Sequence, residues 1–271
     1  MQESANKKPF QYAVAVASGK GGVGKSTVAV NMAASLAADG KKVGLMDADI
    51  YGPNIPTMMG VHDPVLQKDG KMVPVEAYGV KMMSIGFLVP DGQPLIWRGP
   101  MLHSAIKQFI EDVDWGELDY LIVDLPPGTG DAQISLSQSL PLDGGIIVTL
   151  PQRVSMEDAQ RGLEMFRAVK VPVLGVIENM SYLELEDGTR IEVFGNGGGK
   201  KLAESSKVEY LGEIPMNPEV REAGDNGIPV VIANPDSPAA KAIGKLAERI
   251  AGVLRENRNS APPELSINSE E

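Results

Sequence analysis

The 271-residue chain has no cysteine, only two histidines, His62 and His103, and 5% aromatic residues. Without thiols it can form no disulfide and offers no thiolate to zinc or to an iron–sulfur cluster. Two histidines far apart in sequence do not suggest a metal centre. Long apolar runs are also missing: the stretch at 145–150 falls far short of the roughly 20 residues that span a bilayer. Positive charge is in deficit, with a net charge of −11, a pI near 4.8 and no long block of either sign. Such a chain repels nucleic acid and anionic membranes, so neither nucleic acid nor stable membrane insertion is expected. Residues 1–9 are polar and lack the apolar core of a secretory signal, and a cytoplasmic protein is the expectation.

What is present supports a sizeable core, since 43% of residues are hydrophobic and 23% charged. Apolar runs at 12–18, 42–47, 120–124, 145–150, 173–178 and 209–214 read as strands. Between and after them, 26–39, 101–113, 132–139, 155–169, 217–224 and 238–256 read as helices. Gly40 stops the first helix and Pro100 opens the second. Residues 50–60, with Pro53 and Pro56, read as loop, and 71–89 as extended. Strands separated by helices of this length imply right-handed crossovers and a mainly parallel sheet with helices on both faces. The expectation is one α/β domain over 10–256, with disordered tails at 1–9 and 259–271.

The strongest motif is Gly19-Lys20-Gly21-Gly22-Val23-Gly24-Lys25-Ser26-Thr27, which satisfies G-x-x-x-x-G-K-[ST] between a strand and a helix. Glycines let consecutive backbone N–H groups face phosphates, and the helix N-terminus adds partial positive charge. Lys25 is placed to reach the β- and γ-phosphates of ATP, and the Ser26 hydroxyl to ligate Mg²⁺. Lys20 makes the segment resemble the deviant Walker A loop of MinD/ParA-type ATPases. That resemblance implies an ATP-sandwich homodimer in which the early lysine reaches the nucleotide of the facing subunit. A bound cation there would stabilise charge in the transition state.

Two strand ends carry carboxylates. Asp47 and Asp49 lie in Asp47-Ala48-Asp49-Ile50-Tyr51-Gly52, and Asp124 precedes Leu125-Pro126-Pro127-Gly128-Thr129-Gly130-Asp131. In an open parallel sheet, ligands bind beyond the carboxyl ends of the strands, so both segments converge on the phosphate loop. Asp124 suits a magnesium-holding role through the water shell, Asp47 a supporting magnesium role, and Asp49 the orientation of attacking water.

Further segments follow in order: Arg98-Gly99-Pro100-Met101, Pro151-Gln152, Glu178-Asn179-Met180-Ser181, Phe194-Gly195-Asn196-Gly197-Gly198-Gly199 and Leu211-Gly212-Glu213-Ile214-Pro215. Together with the phosphate loop and the aspartate segments they resemble the Mrp/ApbC family of P-loop ATPases over roughly residues 10–256. The resemblance implies ATP binding, slow Mg-dependent hydrolysis, a homodimer, and work as an iron–sulfur cluster carrier or assembly scaffold for apoprotein partners. It also implies adenine contacts from Asn179 and Pro215, and a [4Fe–4S] cluster held jointly by two subunits through a Cys-x-x-Cys after the Glu-Asn-Met-Ser segment. Here the sequence departs, reading Tyr182-Leu183-Glu184-Leu185-Glu186-Asp187-Gly188-Thr189-Arg190-Ile191-Glu192. Asp187-Gly188 between alternating residues predicts a β-hairpin, and carboxylates do not replace thiolates as cluster ligands.

Weaker signals have plainer readings. The paired methionines at 58–59 and 82–83 read as core filling. His103 reads as a partner contact or a helix-face residue, and Arg98 as pointing toward an interface or phosphate or else as a surface arginine. The apolar face of the terminal helix, from Ala239 to Leu254, reads as packing on the sheet. Two alternatives stay open at this point: a MinD/ParA-like positioning ATPase, and a nucleotide-dependent binding module with negligible turnover.

Overall fold

The computed structural model describes residues 8–50, 52–88, 99–185 and 187–260. Strand β1 (Phe10–Ala17) leads through the glycine-rich loop into α1 (Lys25–Ala38), then β2 (Val43–Asp47) and a single-turn α2 (Ile55–Met58). Short strands β3 (Leu66–Lys68), β4 (Lys71–Val73), β5 (Val75–Ala77) and β6 (Val80–Ser84) follow, ending in a 3₁₀ turn at Ile85–Leu88. Next come α3 (Gly99–Glu111), β7 (Leu118–Asp124), α4 (Asp131–Ser139), β8 (Gly144–Thr149) and α5 (Arg153–Ala168). The chain continues through β9 (Val173–Glu184), β10 (Arg190–Ile191), α6 (Gly198–Ser206), β11 (Tyr210–Met216), α7 (Pro218–Asp225), α8 (Val230–Ala233) and α9 (Pro238–Ser260).

The main sheet runs β10-β9-β8-β1-β7-β2-β6-β5, with β11 also paired to β9. The inner pairs are parallel, while β5 and β10 pair antiparallel with β6 and β9. Because β7 lies between β1 and β2, the chain crosses over after β1, and the register sets Val16 and Asp47 on either side of Asp124. Three carboxyl ends therefore stop side by side at one edge of the sheet.

Why the strands are apolar throughout is visible in their packing. Tyr12, Val14 and Val16 join one core with α1 and α9, whereas Ala13, Ala15 and Ala17 join a second with α3 and α5. A strand covered on both faces has no solvent face to carry polar residues. On α9, Ile243, Leu246, Ile250 and Leu254 are buried against the first core. At about 1.5–3 kcal/mol for each fully buried aliphatic side chain, that stripe stabilises the sheet contact and is not exposed for a lipid surface. No helix of the described residues is long and apolar enough to cross a membrane.

The α/β reading agrees with this architecture, with differences at element ends. The expected extended run at 71–89 breaks into three strands and closes in a helical turn. There Gly86 N–H donates to the Ser84 hydroxyl at 3.0 Å, which bends the chain away from the sheet. Helix α6 grows out of a stretch whose glycines gave no helical signal. The predicted hairpin at 187–188 forms, with Gly188 at φ +82 and Leu185 pairing with Thr189, and β9 accordingly runs on to Glu184. The tail expected from 259 is helical to Ser260; residues 1–7 and 261–271, and the Arg98 and Tyr51 readings, lie outside the described residues. Met59, Met82 and Met83 are buried core residues, and the His103 ring shares a 2.8 Å hydrogen bond with the Ser139 hydroxyl, linking α3 to α4.

Candidate nucleotide site

The loop between β1 and α1 is held from both sides. The Ser18 hydroxyl donates to the Lys20 carbonyl at 2.9 Å, and Gly128 N–H donates to the Ser18 carbonyl at 3.0 Å, joining the loop to the segment after β7. Gly19 lies against the start of α5, where a Cβ would come within 2.0 Å of the Asp158 backbone. Gly24 has φ +85, and a Cβ there would meet the Asn179 amide at 2.2 Å. Both positions thus require glycine for space, and Gly24 requires it for conformation as well. From Lys25 onward the chain is helical, and the first N–H groups of such a helix have no intrahelical acceptor. This is a cradle of backbone donors at the positive end of α1, which fits a nucleotide's phosphates.

Over that helix start sits a buried ionic knot. The Lys25 ammonium donates to Asp124 Oδ1 at 2.7 Å and to Asp49 Oδ2 at 3.3 Å, with side-chain exposures of 6%, 0% and 10% respectively. The Ser26 hydroxyl donates to the other Asp124 oxygen, Oδ2, at 2.6 Å. Asp47 faces elsewhere: Ser84 Oγ donates to its Oδ2 at 2.8 Å and Asp49 N–H to its Oδ1 at 3.1 Å. Asp47 is therefore tied to the backbone that carries Asp49.

Burial, and then the neighbouring Asp124 charge, push the Asp47 carboxyl up to about 8. Burial also raises Asp124, while Lys25 and Ser26 draw it back down. One lysine thus faces two carboxyl groups, with Asp47 buried close behind them, a balance that suits a site where a divalent cation is also taken up. Ser26 and Asp124 are the groups that would hold Mg²⁺, in keeping with its preference for one or two protein oxygens plus phosphate and water.

Beside the loop opens a mostly apolar cavity of about 700 Å³, lined by Thr27, Asn179, Met180, Ile214, Pro215 and others. Asn179 and Pro215 thus come together near the end of the phosphate loop. Lys20 is half-buried and makes no ion pair among the described residues. The sequence reading missed Ser84, which orients Asp47, and Glu178, whose buried carboxylate accepts the Gly199 N–H at the start of α6. Neither lies in a recognisable spacing; only the segment Glu178-Asn179-Met180-Ser181 pointed near Glu178.

A phosphate-binding loop on β1, with a lysine and serine bound to a strand-end aspartate on a parallel sheet, defines a P-loop NTPase. Over residues 10–251 the chain matches the ParA family of NUBPL iron-transfer P-loop NTPases, and it belongs to that family. It is 53% identical over 257 residues to the iron-sulfur cluster carrier protein of Deinococcus radiodurans, covering 94% of this chain and 73% of the relative. The nucleotide-binding protein of Archaeoglobus fulgidus, solved in complex with ADP, superposes with a TM-score of 0.72 at 39% identity, over 81% of this chain and 87% of that one. The septum site-determining protein MinD of Pyrococcus horikoshii, complexed with Mg-ADP, gives a TM-score of 0.69 at 25% identity, over 90% and 98%. Membership of this family makes the chain a P-loop ATPase; both of these solved neighbours hold ADP, the second with Mg.

A [4Fe–4S] cluster does not fit the residues present. No cysteine occurs, and no group of three or more metal-ligating side chains is found among the described residues. The hairpin at β9–β10 instead carries Arg190 4.0 Å above the Tyr182 ring and 3.0 Å from Glu184. Iron–sulfur clusters need soft ligands, which this segment lacks.

Proposed function

We propose that the protein is an ATP-driven switch that works as a homodimer and serves iron–sulfur cluster handling without ligating the cluster through its own side chains. The observation that carries this reading is the buried knot of Lys25, Asp124, Ser26 and Asp49 over the start of α1. In it, Lys25 neutralises the β- and γ-phosphates, leaving Asp124 and Ser26 to hold the cation. Mg²⁺, when bound, neutralises charge on the phosphate oxygens. Asp49 orients the attacking water, with Asp47 and Ser84 fixing the backbone on which Asp49 sits. The backbone N–H groups from Gly19 to Thr27 cradle the phosphates, and the cavity at Asn179 and Pro215 takes the adenine. Lys20 reaches the nucleotide of the second subunit.

Support for the cluster-related role comes from the relatives' names together with the family match. On this reading any cluster is held by a partner or an apoprotein client, since the chain itself offers no thiolate. Burial of the α9 stripe speaks against use of that helix as a membrane anchor.

The test combines turnover with molar mass. Mg-dependent ATP hydrolysis should fall about a hundredfold or more on Asp49→Ala, the low end of what a positioned general base contributes. Light scattering should show a dimer with ATP in that slow variant. A monomer with every nucleotide would remove the switch, and full activity in Asp49→Ala would remove Asp49 from it. Anaerobic incubation with iron and sulfide should leave the desalted protein colourless; stoichiometric bound iron would overturn the cluster-free reading.

A further inference from the structure

Asn179 sits where the phosphate loop and the neighbouring cavity meet, and its amide is committed to the loop. Nδ2 donates to the Val23 carbonyl at 2.8 Å, and the residue is only 6% exposed. Because Val23 presents an acceptor, chemistry requires the NH₂ side of the amide to face it. In a trans peptide the C=O and N–H point in opposite directions. Anchoring the Val23 carbonyl therefore holds the Gly24 N–H turned away from Asn179, toward the side on which a phosphate loop gathers anions. A flip of this peptide would replace a donor with a carbonyl oxygen and repel phosphate.

The surroundings make Asn179 a rigid anchor. Gly24 approaches so closely that a Cβ would lie 2.2 Å from Nδ2 and 3.8 Å from Met180 Cε. Met180 itself holds φ +51, a left-handed conformation rare for a long side chain. On one side of this segment Glu178 binds the Gly199 N–H; on the other, the Ser181 hydroxyl donates to the Ile214 carbonyl at 3.1 Å. Ile214, Pro215, Met180 and Asn179 also line the cavity. One short segment of β9 thus fixes both a wall of the cavity and a peptide of the phosphate loop.

We infer that Asn179 is a positioning residue for ATP hydrolysis: it sets the Val23–Gly24 peptide of the phosphate loop, beyond any contact with the base. This rests on the reading that the loop holds the triphosphate of ATP. The separating experiment compares the parent protein with Asn179→Ala and with Asn179→Asp, which keeps the shape but loses the donor. kcat and KM for Mg-ATP are measured, as is inhibition by Mg-tripolyphosphate, which has no base.

The expected result is a fall in kcat of at least about fivefold in both variants, the scale of one lost hydrogen bond. The tripolyphosphate inhibition constant should rise alongside it, with both variants shown by their thermal midpoints to be folded at the assay temperature. A rise in KM alone, with kcat and tripolyphosphate inhibition unchanged, would reduce Asn179 to a base contact and overturn the inference. If the parent neither hydrolyses ATP nor is inhibited by tripolyphosphate, the underlying phosphate-loop reading falls, and this one with it.

Discussion

Replacing Lys25 with methionine keeps the length and apolar stem of the side chain and removes its charge. The ammonium lies between Asp124 and Asp49, with side-chain exposures of 0% and 10%, at 2.7 and 3.3 Å. Removing one partner of a buried ion pair costs about 3–5 kcal/mol, because the remaining charge keeps its desolvation cost without compensation. The low end applies here, since the Ser26 hydroxyl still donates to Asp124 and a carboxyl can escape by taking up a proton. The expected loss is about 3 kcal/mol at pH 8.

The pH dependence follows from the same reasoning. Without Lys25 the folded-state affinity of Asp124 for a proton rises further above the unfolded value. A carboxyl with a raised folded pKa contributes stability at low pH that is lost as pH rises through that pKa. The defect of Lys25→Met should therefore shrink at pH 5.5 and deepen at pH 8. Urea unfolding of the nucleotide-free protein at the two pH values measures it. Adding Asp124→Asn should recover most of the loss at pH 8, because the uncompensated carboxylate is then gone. A single variant as stable as the parent at pH 8, or a double variant no better than the single, would refute the assignment of Lys25 as the counter-charge of this cluster.

Asp47→Asn tests the carboxyl that burial lifts to about 8. Between about pH 4 and pH 8 the unfolded chain loses this proton while the folded protein keeps it, so the parent loses stability at up to about 1.4 kcal/mol per pH unit relative to the asparagine variant. Urea midpoints of the two proteins at pH 5, 6, 7 and 8 should diverge with rising pH, and parallel curves would contradict the assignment. Gly19→Ala sets a methyl 2.0 Å from the Asp158 backbone, forcing the loop away from α5. A loss of about 1–3 kcal/mol, the usual range for overpacking, should accompany weakened ADP binding by calorimetry; unaltered binding would show that the loop tolerates the shift. Ser26→Ala removes a hydroxyl bound to Asp124 and is expected to raise the Mg²⁺ concentration required for turnover while leaving the melting temperature within a few degrees. An unchanged Mg²⁺ requirement would take Ser26 out of the metal site.

Much of this architecture could be read from the sequence because its determinants are local. Strands such as Leu121-Ile122-Val123-Asp124 are apolar because both faces are covered, and this one ends on the carboxylate that Lys25 and Ser26 bind. The phosphate loop is legible for the same reason: Gly19 and Gly24 are required by approaches and a backbone angle that no other residue satisfies. Ser84 was not legible. Its hydroxyl reaches Asp47 only because β6 pairs in register with β2, setting Asp47 opposite Ser84, and nothing in the local sequence encodes that pairing. Glu178 is similar, since its partner Gly199 lies a hairpin away. Asn179 is a mixed case: its motif drew attention, but its commitment to the Val23 carbonyl depends on how closely β9 approaches the loop.

The hairpin that follows separates two properties which family membership alone would join. Its fold needs a turn at Asp187-Gly188 and cross-strand pairs from β9 to β10, and both are present. Its surface needs nothing in particular for stability: the Arg190–Glu184 pair is exposed, 56% and 39%, and such pairs contribute about 0–1 kcal/mol. A segment so weakly constrained can change its ligand chemistry without disturbing the sheet. The ionic knot at Lys25 has no such freedom, because its charged members Lys25, Asp49 and Asp124 are buried and compensate one another. The absence of soft ligands at the hairpin is thus compatible with an intact nucleotide site, whereas loss of a charged member of the knot is not. The candidate nucleotide site is built into the core, whereas the hairpin is a surface of arginine, tyrosine and glutamate.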